Sequence, residues 1–365
     1  MNLLKPPPLA LYVHLPWCVR KCPYCDFNSH AREGVLPEQR YVNALLRDLE
    51  RQSAATGGRE VISVFFGGGT PSLFTPQAIA QILQGAGRLL RMATHAEVTL
   101  EANPGTIEHG RFAEYRGAGI TRVSLGGQSF NAGHLSALGR IHSVGDIHRA
   151  VEELAAAGID NFNIDLMYGL PGQSVAQAEA DIDAAVALEP THISHYQLTL
   201  EPGTVFFHKP PPLPDEDACW EMQRSSQARL SAAGFRQYEI SGYAREGRRC
   251  LHNLNYWLFG DYVGIGAGAH GKLTEAAQGR IERTAIVRQP RQYMEAMESH
   301  TNLAALAGLE RQRVEAEDLP FEFMLNALRL IEGFAPEDFE SRTGLPIASI
   351  EPLLARAHSQ GLLEA

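Results

Sequence analysis

Between residues 9 and 200 the chain alternates short β-rich runs with longer stretches of helical period. The strand candidates are LALYVHL (9–15), EVISVFF (60–66), AEVTLEA (96–102), ITRVSLG (120–126), NFNIDLM (161–167) and HISHYQLTL (192–200). Between them lie PEQRYVNALLRDLERQ, TPQAIAQILQGAGRLL and SVGDIHRAVEELAAAG, whose apolar residues recur every three to four positions. Six β units joined by helices predict a parallel α/β sheet with right-handed crossovers. Periodicity does not separate an open sheet from a barrel, but the strand ends do. GGGTP, EANPG, GGQSF and Asp165 with YGLPG follow the second to fifth strands. Working residues at the carboxyl ends of successive strands are a barrel property, whereas an open sheet binds mainly at one switch point. The expectation is therefore a partial barrel of six βα units.

After about residue 203 the pattern changes. KPPPLPDED (209–217) has the Pro-rich, acidic composition of a linker, and a helix is expected over about 217–233. The segment 238–271 follows, and from about 320 the chain turns helical. No internal repeat or low-complexity tract interrupts it.

Composition narrows the function classes. A net charge of −10 with no basic run argues against nucleic acid as a partner, since phosphate binding needs a positive patch. No window reaches the roughly 18 uninterrupted apolar residues of a membrane span. Three prolines break the apolar stretch of MNLLKPPPLALYVHL, so it does not read as a secretory signal. Five cysteines, three of them at 18, 22 and 25, suit metal binding better than disulfides and suggest a reducing cytoplasm.

Cys18-x-x-x-Cys22-x-x-Cys25 is the most informative motif. Three thiolates at this spacing can wrap one face of an iron–sulfur cubane and leave one iron without a protein ligand. The competing reading is a Cys₃His zinc site completed by His14 or His30. VFFGGGTPS (64–72) lies between a strand and a helix, where glycines allow close backbone approach and expose N–H groups. A phosphate loop would need a GKS or GKT ending, which is absent.

The cysteine motif at the first strand end and GGGTP at the second together resemble the radical S-adenosylmethionine superfamily. LYVHLPWCVRKCPYCDFNSH, FFGGGTPS, EANPG, GQSF, LGRIH, DLMYGLPGQ and HNLNYW, in this order, resemble its HemW family over nearly the whole chain. Those proteins are heme chaperones related to the oxygen-independent coproporphyrinogen III oxidases. The resemblance implies a [4Fe–4S] cluster on Cys18, Cys22 and Cys25, with S-adenosylmethionine chelating the fourth iron. It implies cofactor contacts at Tyr12, Gly68, Gly69, Thr70, Glu101, Gln128, Arg140 and Asp165. The oxidase relatives hold two cofactor molecules, and Tyr24, Gly69, Thr70, Gln128, Arg140 and Asp165 match positions associated with the second. Taken alone, Tyr12 reads as strand packing, Glu101 as a strand end, and Gln128 and Arg140 as loop residues. Asp165, between Ile164 and Leu166, is costly to bury unless paired or liganded.

Heme is the further ligand that the resemblance implies, with heme acceptors such as respiratory enzymes as partners. His252 of HNLNYW is the candidate axial ligand. On a helix Tyr256 would share its face, with Trp257 following. A histidine among asparagines and aromatics also suits a hydrogen-bonded core residue, and Cys250 is a rival thiolate. The implied organisation is a barrel over 1–205, a middle segment with the heme region over 206–300, and a helical unit over 301–365. Three departures stand out. Phe27 replaces the fourth cysteine of the oxidases, which weakens the case for porphyrinogen decarboxylation. The chain ends at GLLEA, where the relatives usually continue, so a shortened final unit is expected. Gly126-Gly127 replaces the more usual Gly-Val.

Overall fold

The computed structural model describes residues 3–105, 111–299 and 309–364. Six parallel strands follow the expected order: β1 (Leu9–Leu15), β2 (Glu60–Gly68), β3 (Arg91–Ala102), β4 (Arg122–Gln128), β5 (Phe162–Tyr168) and β6 (His192–Gln197). They form the centre of a twelve-stranded sheet. On one side β6 continues antiparallel into β8 (Gly242–Ala244), which pairs with β7 (Arg236–Gln237). On the other, β9 (Asp261–Ile265) pairs with β1 in parallel, making a seventh parallel strand from beyond the barrel units. β10 (His270–Glu275), β11 (Arg280–Ala285) and β12 (Glu310–Arg313) extend that edge antiparallel.

Register divides the parallel strands into two faces. Leu11 pairs with Val64, Val64 with Val98, Leu100 with Val123, and Leu125 with Ile164, all nearly fully buried beneath the helices. On the other face Tyr12 pairs with Phe65, Phe65 with Thr99, Thr99 with Arg122, and Glu101 with Ser124. Ser124 pairs with Asn163, Asn163 with His192, and Asp165 with Ser194. Since alternate residues share a face, the concave side is predominantly polar along four adjacent strands. That is unusual for a parallel sheet, whose strands commonly read as continuous apolar runs.

The helices cover the convex face with local sequence support. Tyr41, Val42, Leu45 and Leu49 bury one stripe of the helix Glu38–Ser53. Thr75 caps Pro76–Leu89, and Ser143 with Asp146 forms a capping box on Val144–Ala156. A helix at Val175–Ala187, without strong amphipathic period in the sequence, packs beside Glu216–Ala232.

The C-terminal helices Leu319–Ala327, Pro336–Thr343 and Glu351–Ser359 build a second core. Phe323 stands edge-on to Phe259 at 5.8 Å and to Phe339 at 5.3 Å. Leu4 and Ile281 join this cluster, so the amino terminus and the β-extension hold the helical unit in place. The boundary expected at 300/301 lies outside the described residues.

Candidate functional site

Past β1 the chain turns at Pro16 into the cysteine loop. Trp17–Cys18 pairs with His30–Ala31, and the Arg32 N–H donates to Cys18 O at 2.8 Å, closing the loop at its base. Inside it, the Lys21 ammonium donates to the carbonyls of Phe27 (3.1 Å) and Ser29 (3.3 Å). Asn28 Nδ2 donates to Ala267 O and Arg288 O, both at 2.9 Å, tying the loop to the β-extension. All three thiols are unpaired and half-buried. Among the described residues no three Cys, His or carboxylate groups converge on a point suited to one ion. His14 is already committed, Nδ1 to the Tyr12 hydroxyl and Nε2 to Asn28 O, at 2.9 Å each. This geometry disfavours the zinc reading with His14. Thiols spread around a cavity fit a cluster in which each iron takes one of them. Burial pushes the Cys18 and Cys25 thiols up, so their thiolate forms need a neighbouring cation.

The glycine loop is stitched to the same place. Gly69 N–H donates to Leu15 O (2.9 Å) and Thr70 N–H to Trp17 O (2.8 Å). A Cβ on Gly69 would come within 2.5 Å of Trp17 O, and one on Gly68, whose φ is +119°, within 2.7 Å of the His14 ring. Gly68 N–H donates to Glu101 Oε2 at 3.2 Å. Asn103 Nδ2 donates to Thr70 Oγ1 at 2.8 Å, while Arg140 donates to Asn103 Oδ1, to Gly126 O (2.9 Å) and to Cys22 Sγ (3.7 Å). Asn103 thus joins the glycine loop to the guanidinium that touches a cysteine sulfur.

One cavity of about 320 Å³ is lined by Cys18, Cys22, Cys25, Tyr24, Gly68, Gly69, Thr70, Glu101, Gln128, Arg140 and Asp165. Gln128 adopts φ +67°, rare for a residue with a side chain, and its Oε1 accepts from the Tyr196 hydroxyl at 2.9 Å. Burial, then the charge of Asp165, raises the Glu101 carboxyl to about 8. Burial also raises Asp165, opposed by hydrogen bonds from Asn163, Ser194 and Ser124.

Tyr12 and His252 lie elsewhere, on a second chamber of about 500 Å³ inside the barrel. Glu101 and Asp165 line both spaces. His252 sits in the first turn of the helix Leu251–Trp257 and is almost fully buried. Its ring stacks on Phe65 at 4.9 Å and meets Tyr256 edge-on at 4.9 Å, so the expected shared helical face is present. Its Nδ1 is 3.1 Å from Ser63 Oγ, and Nε2 is buried without a partner. Burial pushes this imidazole down to about 3, leaving it neutral. Cys250 is fully buried outside the chamber, with its Sγ donating to Glu97 Oε1 at 3.6 Å. Burial pushes its thiol up to about 12.

Sequence reasoning missed the chamber's strand-borne residues Arg122, Ser124, Asn163 and Ser194. It also missed Tyr196 and Asn103 at the cavity mouth. The signal was available: R-V-S-L on β4, N-I-D-L on β5 and H-I-S-H on β6 each place polar residues at alternate positions.

Comparison with known proteins agrees with this architecture. The model of the Radical SAM superfamily matches residues 12–185, and that of the HemN C-terminal domain matches 314–365. In overall structure the chain is similar to coproporphyrinogen III oxidase (HemN) from Escherichia coli. That match has a TM-score of 0.81 and 21% identity, and covers 99% of this chain and 85% of the other, a likeness of fold. The heme chaperone HemW of Escherichia coli K12 is 49% identical, over 99% of this chain and 93% of its own length. That of Haemophilus influenzae is 46% identical, over 95% and 89%. With such identity along nearly its whole length, the chain belongs to the heme chaperone HemW family of radical S-adenosylmethionine proteins.

Proposed function

We propose that this chain binds heme and passes it to acceptor proteins, carrying a [4Fe–4S] cluster on Cys18, Cys22 and Cys25 with S-adenosylmethionine beside it. The observation that carries the reading is that three separated thiols, a glycine loop and Arg140 line one cavity, next to a chamber holding a neutral histidine whose Nε2 has no partner. When bound, the cluster offers an iron free of thiolate to the amino and carboxylate groups of the cofactor. Around it, the glycine loop, without side chains in the way, leaves room for the methionine part, and Gln128, Arg140 and Asp165 position the remainder. Glu101, raised to about 8, keeps its carboxyl protonated at neutral pH and so adds little negative charge to the shared wall.

His252 is the proposed heme ligand. In the tautomer whose Nδ1–H donates to Ser63, Nε2 carries the lone pair that a heme iron would take. Cys250 supports the rival reading poorly, because its thiol is protonated and turned onto Glu97. The proposed setting is cytoplasmic, with respiratory enzymes among the acceptors; no helix among the described residues is long and apolar enough to cross a membrane. The test is anaerobic reconstitution followed by heme titration. Wild type is expected to bind heme, and His252→Ala to lose the ligated Soret band while Cys250→Ser keeps it. An unchanged band and affinity in His252→Ala refutes the ligand. No conversion of coproporphyrinogen III is expected, because Phe27 stands at the position of the oxidase thiol; product formation would favour an enzyme instead.

A further inference from the structure

Arg122 is a charge without a contact. It stands on β4 with 2% of its surface exposed and lines the barrel-interior chamber. Among the described residues, nothing accepts a hydrogen bond from its guanidinium, and Nε is buried with no partner. Its neighbours are occupied. Glu97 Oε1 takes the N–H groups of Leu251 (3.0 Å) and His252 (3.5 Å) together with the Cys250 thiol. Asp165 accepts from Asn163 at 2.7 Å and from Ser124 at 3.3 Å. Both carboxylates balance the Arg122 charge from a distance while its N–H donors stay empty.

A buried guanidinium in that state is costly, because its desolvated donors recover nothing from the protein. The planar fork of an arginine matches a carboxylate in bidentate fashion. A second vacant donor, Trp257 Nε1, belongs to a residue on the same chamber, as does His252 with its free Nε2. Phe65, Tyr12 and Tyr256 supply aromatic faces between them. The space therefore combines one anion-binding fork, one metal-ligating nitrogen and flat apolar walls.

We propose that Arg122 is the carboxylate anchor of this chamber, receiving an acidic side chain of a planar aromatic ligand whose metal, if present, faces His252. This rests on the heme reading above and names the part of the ligand it left unassigned: on that reading the group is a porphyrin propionate. Arg122 also serves as a specificity residue, because a ligand without a free acid leaves the fork desolvated and empty.

The experiment compares acids with their methyl esters on the reconstituted full chain. Hemin and hemin dimethyl ester form one pair, and metal-free protoporphyrin IX and its dimethyl ester the other. Wild type should prefer each acid by about tenfold or more, the size of one charge-assisted pair. Arg122→Gln should erase the preference and Arg122→Lys restore part of it, with cluster content and circular dichroism reporting the fold. His252→Ala should change the hemin spectrum yet keep the acid preference in the metal-free pair. Hemin binding with no acid preference leaves the heme reading standing and overturns the Arg122 assignment. Arg122-dependent preference for protoporphyrin without hemin binding does the reverse. Binding of neither overturns both. If Arg122→Gln does not fold, the wild-type acid-to-ester ratio and Arg122→Lys decide: a ratio near one refutes the anchor.

Discussion

The cavity at the barrel mouth and the chamber inside it share a wall but are built by opposite means. The mouth is made largely of loops, with half-buried thiols and a glycine loop around an open cavity. The chamber is lined by strand side chains and one helix, and a hydrogen-bonded network of polar strand residues runs along its wall. Asn163 alone bonds to Ser124, Asp165 and His192, each at 2.7 Å, and to Ser194 at 3.1 Å. His192 continues this network to the Tyr238 hydroxyl at 2.8 Å. A loop site of the first kind acquires its final chemistry when it is loaded. A strand site of the second kind is assembled by folding, so its polar groups carry stability as well as function. Damage should therefore separate: mouth variants lose cargo and keep the fold, whereas chamber variants weaken the fold itself.

The largest expected effect is at the mouth. Replacing Cys18, Cys22 or Cys25 by Ser should reduce iron and sulfide after reconstitution to background, while Cys219→Ser and Cys250→Ser retain the cluster. The cluster-free stability of the three mouth variants should move by about 1 kcal/mol or less, as for substitutions away from the core. A cluster retained by Cys18→Ser would break the assignment.

At the chamber, Asn163→Ala removes one hydrogen-bond partner from each of Asp165, His192, Ser124 and Ser194 at once, and each buried bond lost costs about 1 kcal/mol or more. A loss of about 4 kcal/mol in urea unfolding is expected. A loss below about 1 kcal/mol would mean that the network is not the structural hub its bonds suggest.

Glu101 sharpens the comparison because it belongs to both spaces. Its folded pKa, about 8, lies above the ordinary 4.5, so the folded chain binds more protons than the unfolded one between those values. Stability from this group is greatest below the ordinary value and falls as pH rises toward 8. In cluster-free protein, Glu101→Gln should flatten that decline, gaining about 3 kcal/mol over wild type at pH 8.5 relative to pH 5. Parallel pH profiles for the two proteins would show that the carboxyl is already ionised in the fold.

The smallest effect is the control. Arg224 and Glu221 pair at 2.7 Å on the outer helix Glu216–Ala232, with both side chains largely exposed. Arg224→Ala should change stability by about 0.5 kcal/mol or less, and heme and cluster binding not at all.

Legibility followed the same division. All six strand candidates overlap the observed strands, because β-branched and aromatic runs bounded by turns are a local signal. The helix Val175–Ala187 escaped notice, since its alanines and acids carry little amphipathic period and its place depends on packing beside Glu216–Ala232. The parallel pairing of Asp261–Ile265 with β1 was equally hidden, because nothing within five residues states which distant strand they will join.

By itself the sequence determined the mouth: three cysteines within eight residues and three glycines in succession have few ways to be arranged, so spacing dictates chemistry. Only the tertiary structure decided the chamber. Arg122, Ser124, Asn163 and Ser194 stand on three strands, and their local alternation does not say which distant strands will face the same space. The register of a parallel sheet turns alternate side chains to one side, and curving the open sheet into a partial barrel brings that side around a single space. Which of its donors find partners, and that Arg122 does not, is settled by distances between residues far apart in the chain.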